Sequence, residues 1–530
     1  MRNRINLLNA LSKRLNSSHE PAKTFLPFEA IPGPRPLPLI GNVWRYLPLV
    51  GDYDINKLFE NAKINKTKYG PIVREQITRD HVILHLFDPN DIESFFRQDS
   101  NKPYRRSHRA LLKLRHDNPE CYNDGGIFPE NGQSWSRLRG LFHQSLMKKE
   151  IVVKRAIMLD DITRGTINLI SVEQQSNSPQ GAIKLNKFDQ FLYRWSVRCG
   201  LATFLDYSTS TMPDDIVVDQ IIDCSSDQLE ALAGTEIKSE RWAKQPSKCP
   251  YYQQLSRQEE FMYKFVKERV DYLIGTKSTG DNSYVHDWLI NDKLDLKDVI
   301  TFLVDCITAN VHTNVYTSMF LLENISKRME INLKDHLMRE ISSVSAIDDH
   351  HLDDRIMGDI GETMPTLRDS LKETLRLHPV SIGTGRLTQF DMSIRNYHIP
   401  KDVMVIAHNQ TISRDPNIYE DPDEFKPDRW AYYKSKSRLE RPSSFAWLPF
   451  GFGPRACIGQ RFVSLEIYIL AIRLLQKFDI AFLDDVIKTK TTIVHQLDGP
   501  IAVELTPILN KSAMNEYPLT GGYQCRLLGS

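Results

Sequence analysis

Cysteine is scarce in this 530-residue chain. The seven residues Cys121, Cys199, Cys224, Cys249, Cys306, Cys457 and Cys525 are scattered, with no C-x-x-C pair. An odd, dispersed set argues against a disulfide framework and a cysteine zinc site, and it fits a thiol-keeping compartment. No run of about 18 apolar residues occurs, so no transmembrane helix is expected. Neither sign of charge dominates: 68 Lys+Arg stand against 67 Asp+Glu, a net charge of +1. Nothing in that balance points to nucleic acid or another polyanion. Internal repeats and low-complexity linkers are also missing. What remains is an ordinary globular composition, 41% hydrophobic, long enough to bury a sizeable core.

Acids are sparse at the start. Residues 1 to 28 carry Arg2, Arg4, Lys13, Arg14 and Lys23 but a single acid, Glu20, while Leu7, Leu8, Leu11 and Leu15 recur at helical spacing. Basic, amphipathic and acid-poor is the pattern of a mitochondrial presequence, so residues 1 to 30 are expected to be a targeting segment and lead-in. Residues 31 to 42, IPGPRPLPLIGN, are too rich in proline for a helix and should be extended. Dense β-branched residues at Ile72 to Ile77 and His81 to Phe87 predict paired strands. Asp281 to Met357 contains no Gly or Pro, which favours several helices. Within it, Leu296, Val299, Ile300, Leu303, Val304, Ile307 and Val311 repeat at 3.6 residues, and apolar residues continue to Ile325. One long helix, apolar over much of its girth, should therefore cross the interior. Further helices are expected from Met364 to Leu377, ending before Pro379, and just after Cys457. The economical reading is a mainly α domain with a small β-rich subdomain over 31 to 510, followed by a tail from 511 to 530.

The one cysteine with a distinctive neighbourhood is Cys457, in the decamer FGFGPRACIG from Phe450 to Gly459. A lone buried cysteine is usually a small hydrophobe. Here Gly453 and Gly459 allow sharp backbone turns and close approach. The following helix would aim its N-terminal amides at the sulfur, favouring a thiolate. The pattern F-x-x-G-x-R-x-C-x-G closely resembles the haem-binding loop of the cytochrome P450 family.

That resemblance covers roughly residues 31 to 508 and carries further implications. It implies that Cys457 is the axial ligand of haem b iron, within a loop that includes Phe450 and Gly453. Arg455, Trp135, Arg139 (one helical face, W-x-x-x-R) and Arg386 would serve the propionates. Glu373-x-x-Arg376 and Arg429 of the segment Pro427 to Trp430 would form a buried structural charge network. In the long helix, Ala309-Asn310-Val311-His312-Thr313 stands where the family has A-G-x-acid-T. Thr313 would then orient water and relay protons during oxygen activation. Asn310 replaces the glycine and His312 replaces the acid; His312 either shuttles protons or simply fills a polar space. Arg368 and Lys372, four apart on one helix, match the positions where mitochondrial members dock an acidic ferredoxin; the bland alternative is a solvated face.

Segments 38 to 55 and 105 to 138 resemble the arthropod ecdysone 20-monooxygenase branch. They imply a steroid substrate, O2 as co-substrate, and a matrix-side enzyme on the inner mitochondrial membrane. Ile127, Phe128, Val380, Ile382 and Leu497 are the implied apolar wall. Another sterol hydroxylase of the mitochondrial class, an isomerase or dehydratase on the same fold, and a non-catalytic haem or steroid binder remain as alternatives.

Overall fold

The computed structural model describes residues 25–508 apart from 48, 147–148, 174–180, 239–240, 277–282, 291–292, 345–351, 353–359 and 492. Most of the presequence-like segment and the whole tail from 511 lie outside the described residues.

The two β-branched runs form antiparallel strands, β1 (Ile72–Thr78) and β2 (His81–Leu86), with Ile72 opposite Leu86. Two later strands complete a four-stranded sheet: β3 (Thr384–Leu387) and β4 (Met404–Ala407). β4 runs parallel to β2 and antiparallel to β3, in the order β1-β2-β4-β3. Arg386 thereby sits on an edge strand, opposite Val405. The proline-rich lead-in is non-helical up to Leu37, as its composition requires, and then closes a tight turn in which Leu37 pairs with Gly41.

Helices dominate the rest. Those that build the site are α1 (Gly132–Leu146), α2 (Lys149–Glu173), α3 (Phe188–Leu205), α4 (Asp215–Ala233), α5 (Pro250–Gly275), α6 (Leu296–Glu323), α7 (Pro365–Leu377) and α8 (Gln460–Lys477). The Asp295 side chain caps α6 by accepting from the amide of Asp298. α7 opens on Pro365, where the missing N–H costs nothing, and stops at His378 before Pro379.

α6 is the spine. Its first half, Val299 to Val311, belongs to an apolar cluster shared with α1, α3 and α5. Its second half, Val315 to Leu322, belongs to another shared with α2, α7 and α8. Each fully buried aliphatic side chain there contributes about 1.5–3 kcal/mol. Between the halves lies a polar belt of Asn310, His312, Thr313 and Asn314. The apolar periodicity that makes α6 a core helix is interrupted where oxygen chemistry is expected.

Candidate active site

The loop before α8 is built to present one sulfur. Gly451 and Gly453 both adopt left-handed backbone, at φ 74° and 69°, which a side chain would oppose. Gly459, singled out in the sequence, has an ordinary φ of -88°. It serves instead as the N-cap of α8, and a Cβ there would lie 4.0 Å from Cys457 Sγ. The second left-handed position is thus Gly451, which the sequence reading passed over. The amide of Cys457 donates to the carbonyl of Phe450 (2.8 Å) and closes the loop.

Cys457 is exposed to a cavity of about 500 Å³ that it helps to line. Arg139, Gly140 and His143 of α1 line the same cavity. Burial pushes the thiol upward, while the amides of Gly459 and Gln460 and the charges of Arg139 and Arg105 pull it back. A positive centre opposite the sulfur is what would complete its ionisation.

Around this loop the structure collects positive charge with little to neutralise it. Burial, then the charges of Arg105, Arg386 and Arg139, push Arg455 down to about 8. Burial and Arg105 push Arg386 down to about 9, and burial and Arg139 push Arg105 down to about 10. Burial also lowers Arg139. Guanidinium holds its proton in proteins, so this strain is expressed as an appetite for anions. Arg455 bonds only neutral acceptors: the carbonyls of Pro103 (3.1 Å), Ile127 (3.4 Å) and Glu130 (2.6 Å), and Asn131 Oδ1 (2.8 Å). Arg386 meets Asp99 at 3.6 Å, but its buried Nε makes no hydrogen bond. Four buried or half-buried cations beside a thiol fit a dianionic ligand, and haem with its two propionates has that charge. Arg105 was not among the sequence candidates; the Arg105-Arg106 doublet was its signal. Trp135 lies flat under Arg455, with the guanidinium 3.8 Å from the ring centre.

Glu373 is the hub of a second cluster. Its carboxylate accepts from Arg376 (2.8 and 3.0 Å), Arg429 Nε (2.8 Å), Trp430 Nε1 (3.1 Å) and the amide of Lys426 (3.0 Å). The remaining donors of Arg376 and Arg429 are taken by carbonyls of Ser413, Pro422, Glu424, Glu420 and Asp421.

On α6, Thr313 Oγ1 donates to the carbonyl of Ala309 (2.8 Å) and is half-buried, as are Cys306 and Ala309 on the same side. Cys306 feels the charge of Cys457, which puts this side toward the ligand loop. His312 points elsewhere. Its Nδ1 lies 3.2 Å from Tyr193 Oη and its Nε2 3.3 Å from Ser226 Oγ. Burial brings it down to about 4, so it is neutral at pH 7.

The wall candidates fall into two groups. Ile127 and Phe128 pack with Val304, Ile307 and Val311. Val380 and Leu497 pack with the other half of the core, and the amide of His495 donates to the Val380 carbonyl (2.9 Å). Ile382 is engaged through its carbonyl by the amide of Gln410 (3.3 Å). Ile127 is held by Asp305 Oδ2, which accepts its amide (2.9 Å), and Asp305 is in turn bound by the buried Arg115 (2.8 Å).

Of the two docking candidates, Arg368 is held by Asp369 (2.8 Å) and lies 3.5 Å from Glu362. Lys372 sits 5.7 Å over the Trp430 ring. Among the described residues no helix is long and apolar enough to cross a membrane.

Cytochrome P450 302a1, mitochondrial, from Drosophila melanogaster is 29% identical over 484 residues, 90% of this chain and 95% of its own length. Ecdysone 20-monooxygenase of the same species is 23% identical over 472 residues, 85% of this chain and 84% of its own. The solved structure of retinoic acid bound cyanobacterial CYP120A1 superposes with a TM-score of 0.70 at 17% identity, over 91% of this chain and 100% of that one. A family profile described as Cytochrome P450 matches residues 31–497. The thiol loop and the helix that crosses it therefore belong to a monooxygenase fold that binds haem through a cysteine thiolate, and the chain is a member of the cytochrome P450 family.

Proposed function

We propose that the chain is a mitochondrial-class steroid hydroxylase, converting ecdysone to 20-hydroxyecdysone with O2 and ferredoxin-delivered electrons. Cys457 is the haem ligand in this reading, and residues 31 to 510 form one domain. The observation that carries the site assignment is the sulfur on a doubly left-handed loop beside four arginines short of anions. The steroid class rests on the sequence segments shared with the ecdysone 20-monooxygenase branch and on that enzyme's place among the relatives.

When bound, haem supplies the oxygen activation and C–H oxidation. The chain's share is binding, orientation and proton handling. Arg105, Arg139, Arg386 and Arg455 would hold the propionates by charge-assisted hydrogen bonds. Gly459 and Gln460 amides bond the sulfur and tune its electron donation. Thr313 keeps its oxygen lone pairs free to accept from water, because its own proton is committed to Ala309. His312, neutral and engaged on both ring nitrogens, holds α6 against α3 and α4 by bonding Tyr193 and Ser226. The Glu373 network fixes the scaffold behind the loop. Lys372, less compensated than Arg368, is the principal docking cation for an acidic ferredoxin, whose encounter it would speed. The basic start of the chain and the names of mitochondrial relatives support import into mitochondria, and the exposed apolar run Leu37, Leu39, Ile40, Leu47 and Leu49 supports a peripheral seat on the inner membrane.

Titration of the ferric protein with ecdysone tests this. A saturable low-spin to high-spin Soret shift, followed by a single product hydroxylated at carbon 20, is the expected result. An unmoved Soret band overturns the substrate. Ecdysone 20-monooxygenase is less similar, at 23%, than the mitochondrial relative at 29%, which leaves room for a second reading, hydroxylation of a related steroid at another carbon. Product regiochemistry separates the two.

A further inference from the structure

We propose that Glu466 is a positioning residue that ties the polar belt of α6 to the same rigid helix that carries the thiolate loop. The inference rests on the haem-thiolate reading above and adds to it a residue with no part in ligation, docking or the arginine-held network.

Glu466 projects from α8 nine residues beyond Cys457 and is fully buried between α3, α6 and α8. Among the described residues no cation is bonded to it. Asn314 Nδ2 donates to its Oε2, and Thr203 Oγ1 of α3 approaches its Oε1 at 3.5 Å. The same Asn314 Nδ2 donates to Asn310 Oδ1 (2.9 Å). Asn310 Nδ2 donates onward to the Ser196 carbonyl of α3 (3.0 Å), and Ser196 Oγ returns a bond to the Asn310 carbonyl (3.2 Å). Gly200 makes the space: a Cβ there would stand 3.1 Å from Asn310 Nδ2. Three helices are thus sewn together through Asn310 and Asn314, which flank Thr313.

The arrangement answers a local problem. Asn310 stands where relatives of the motif have glycine, and an asparagine inside a helix competes for backbone partners and loosens the turn. Here its amide is spent on α3, and its carbonyl oxygen is spent on Asn314 and, through it, on Glu466. Because α8 begins at the thiolate loop, one rigid element fixes the sulfur at one end and α6 near its middle. α8 thereby couples the position of Cys457 to that of the Thr313 face. Burial keeps the Glu466 carboxyl neutral well above the usual range, at about 8, so the tie is made without an ion pair.

The test compares Glu466→Leu, Glu466→Gln and Asn314→Ala with wild type as haem-loaded proteins. The readouts are amide hydrogen exchange of the segment 306 to 316, and hydrogen peroxide released per NADPH consumed with a [2Fe–2S] ferredoxin, its reductase and ecdysone. Glu466→Leu and Asn314→Ala should each raise exchange in that segment and release several-fold more peroxide. Glu466→Gln, which keeps an acceptor for Asn314, should restore both toward wild type. Wild-type exchange and peroxide in Glu466→Leu would overturn the proposal, as would failure of Glu466→Gln to rescue. Should Glu466→Leu not fold, Asn314→Ala carries the same comparison from the α6 side. The exchange readout needs no substrate turnover, and the ferrous carbon monoxide band of wild type checks thiolate ligation separately. A missing thiolate band therefore sinks the underlying reading, and unchanged exchange sinks only this one.

Discussion

The structure holds two clusters of arginine, and they are opposites. Around Glu373 each guanidinium finds a carboxylate or a carbonyl, and the carboxylate itself accepts five hydrogen bonds. Around Arg455 four guanidinium groups crowd together, with Asp99 3.6 Å from Arg386 and the charge of Glu130 felt by Arg455 as their partial relief. A saturated network has nothing left to bind with and serves the fold. An unsaturated one is unstable until an anion arrives and serves a ligand. Counting partners therefore separates structural from cofactor-binding charge, where residue type alone cannot.

The largest effect should come from breaking the saturated side. Glu373→Ala strands Arg376 and Arg429 in the interior and should cost about 3–5 kcal/mol, read as a lower urea midpoint and a protein that fails to retain haem. On the unsaturated side the loss for the empty protein should nearly vanish. Arg455→Met removes repulsion as well as four hydrogen bonds to neutral acceptors, so the apo protein should lose little stability. Haem affinity should fall by about 1.5–3 kcal/mol, the worth of a charge-assisted hydrogen bond, read by haem transfer to an apo acceptor. Equal losses in both assays would erase the distinction between the clusters. A third effect concerns a buried carboxyl that no arginine bonds among the described residues. Glu466 is raised from 4.5 to about 8 by burial. The unfolded chain ionises first, so stability should fall as pH rises from about 4.5 to about 8 and level off above, by at most about 1.4 kcal/mol per pH unit. Glu466→Gln should flatten that slope in urea titrations; an unchanged slope would mean that the carboxyl is ionised in the folded protein.

The saturated cluster was legible in the sequence because Glu373, Arg376 and Arg429 carry fixed spacings to one another and to Cys457. The long helix α6 was legible because its apolar period runs from Leu296 to Val311 and apolar residues resume to Ile325. Less local features were not. Arg105 joins the site only because its loop folds back over Arg455, and Glu466 meets Asn314 across 152 positions of sequence. His312 was a candidate proton shuttle by position alone; its partners Tyr193 and Ser226 come from helices that no periodicity could dock. The glycines teach the same lesson. Gly451 and Gly459 look alike in the decamer, and only backbone angles tell which one the turn demands.

Arg455 has one further consequence. Its guanidinium lies under the thiolate loop, yet every bond it makes is to the stretch from Pro103 to Asn131, which also carries Ile127 and Phe128. One side chain thus spans two binding events. On the proposed reading, a cofactor whose binding steadies this stretch would be held tighter, by the same factor, once a steroid orders it. Substrate would then act as a stabiliser of the holoenzyme, and depletion of either ligand would loosen the hold on the other.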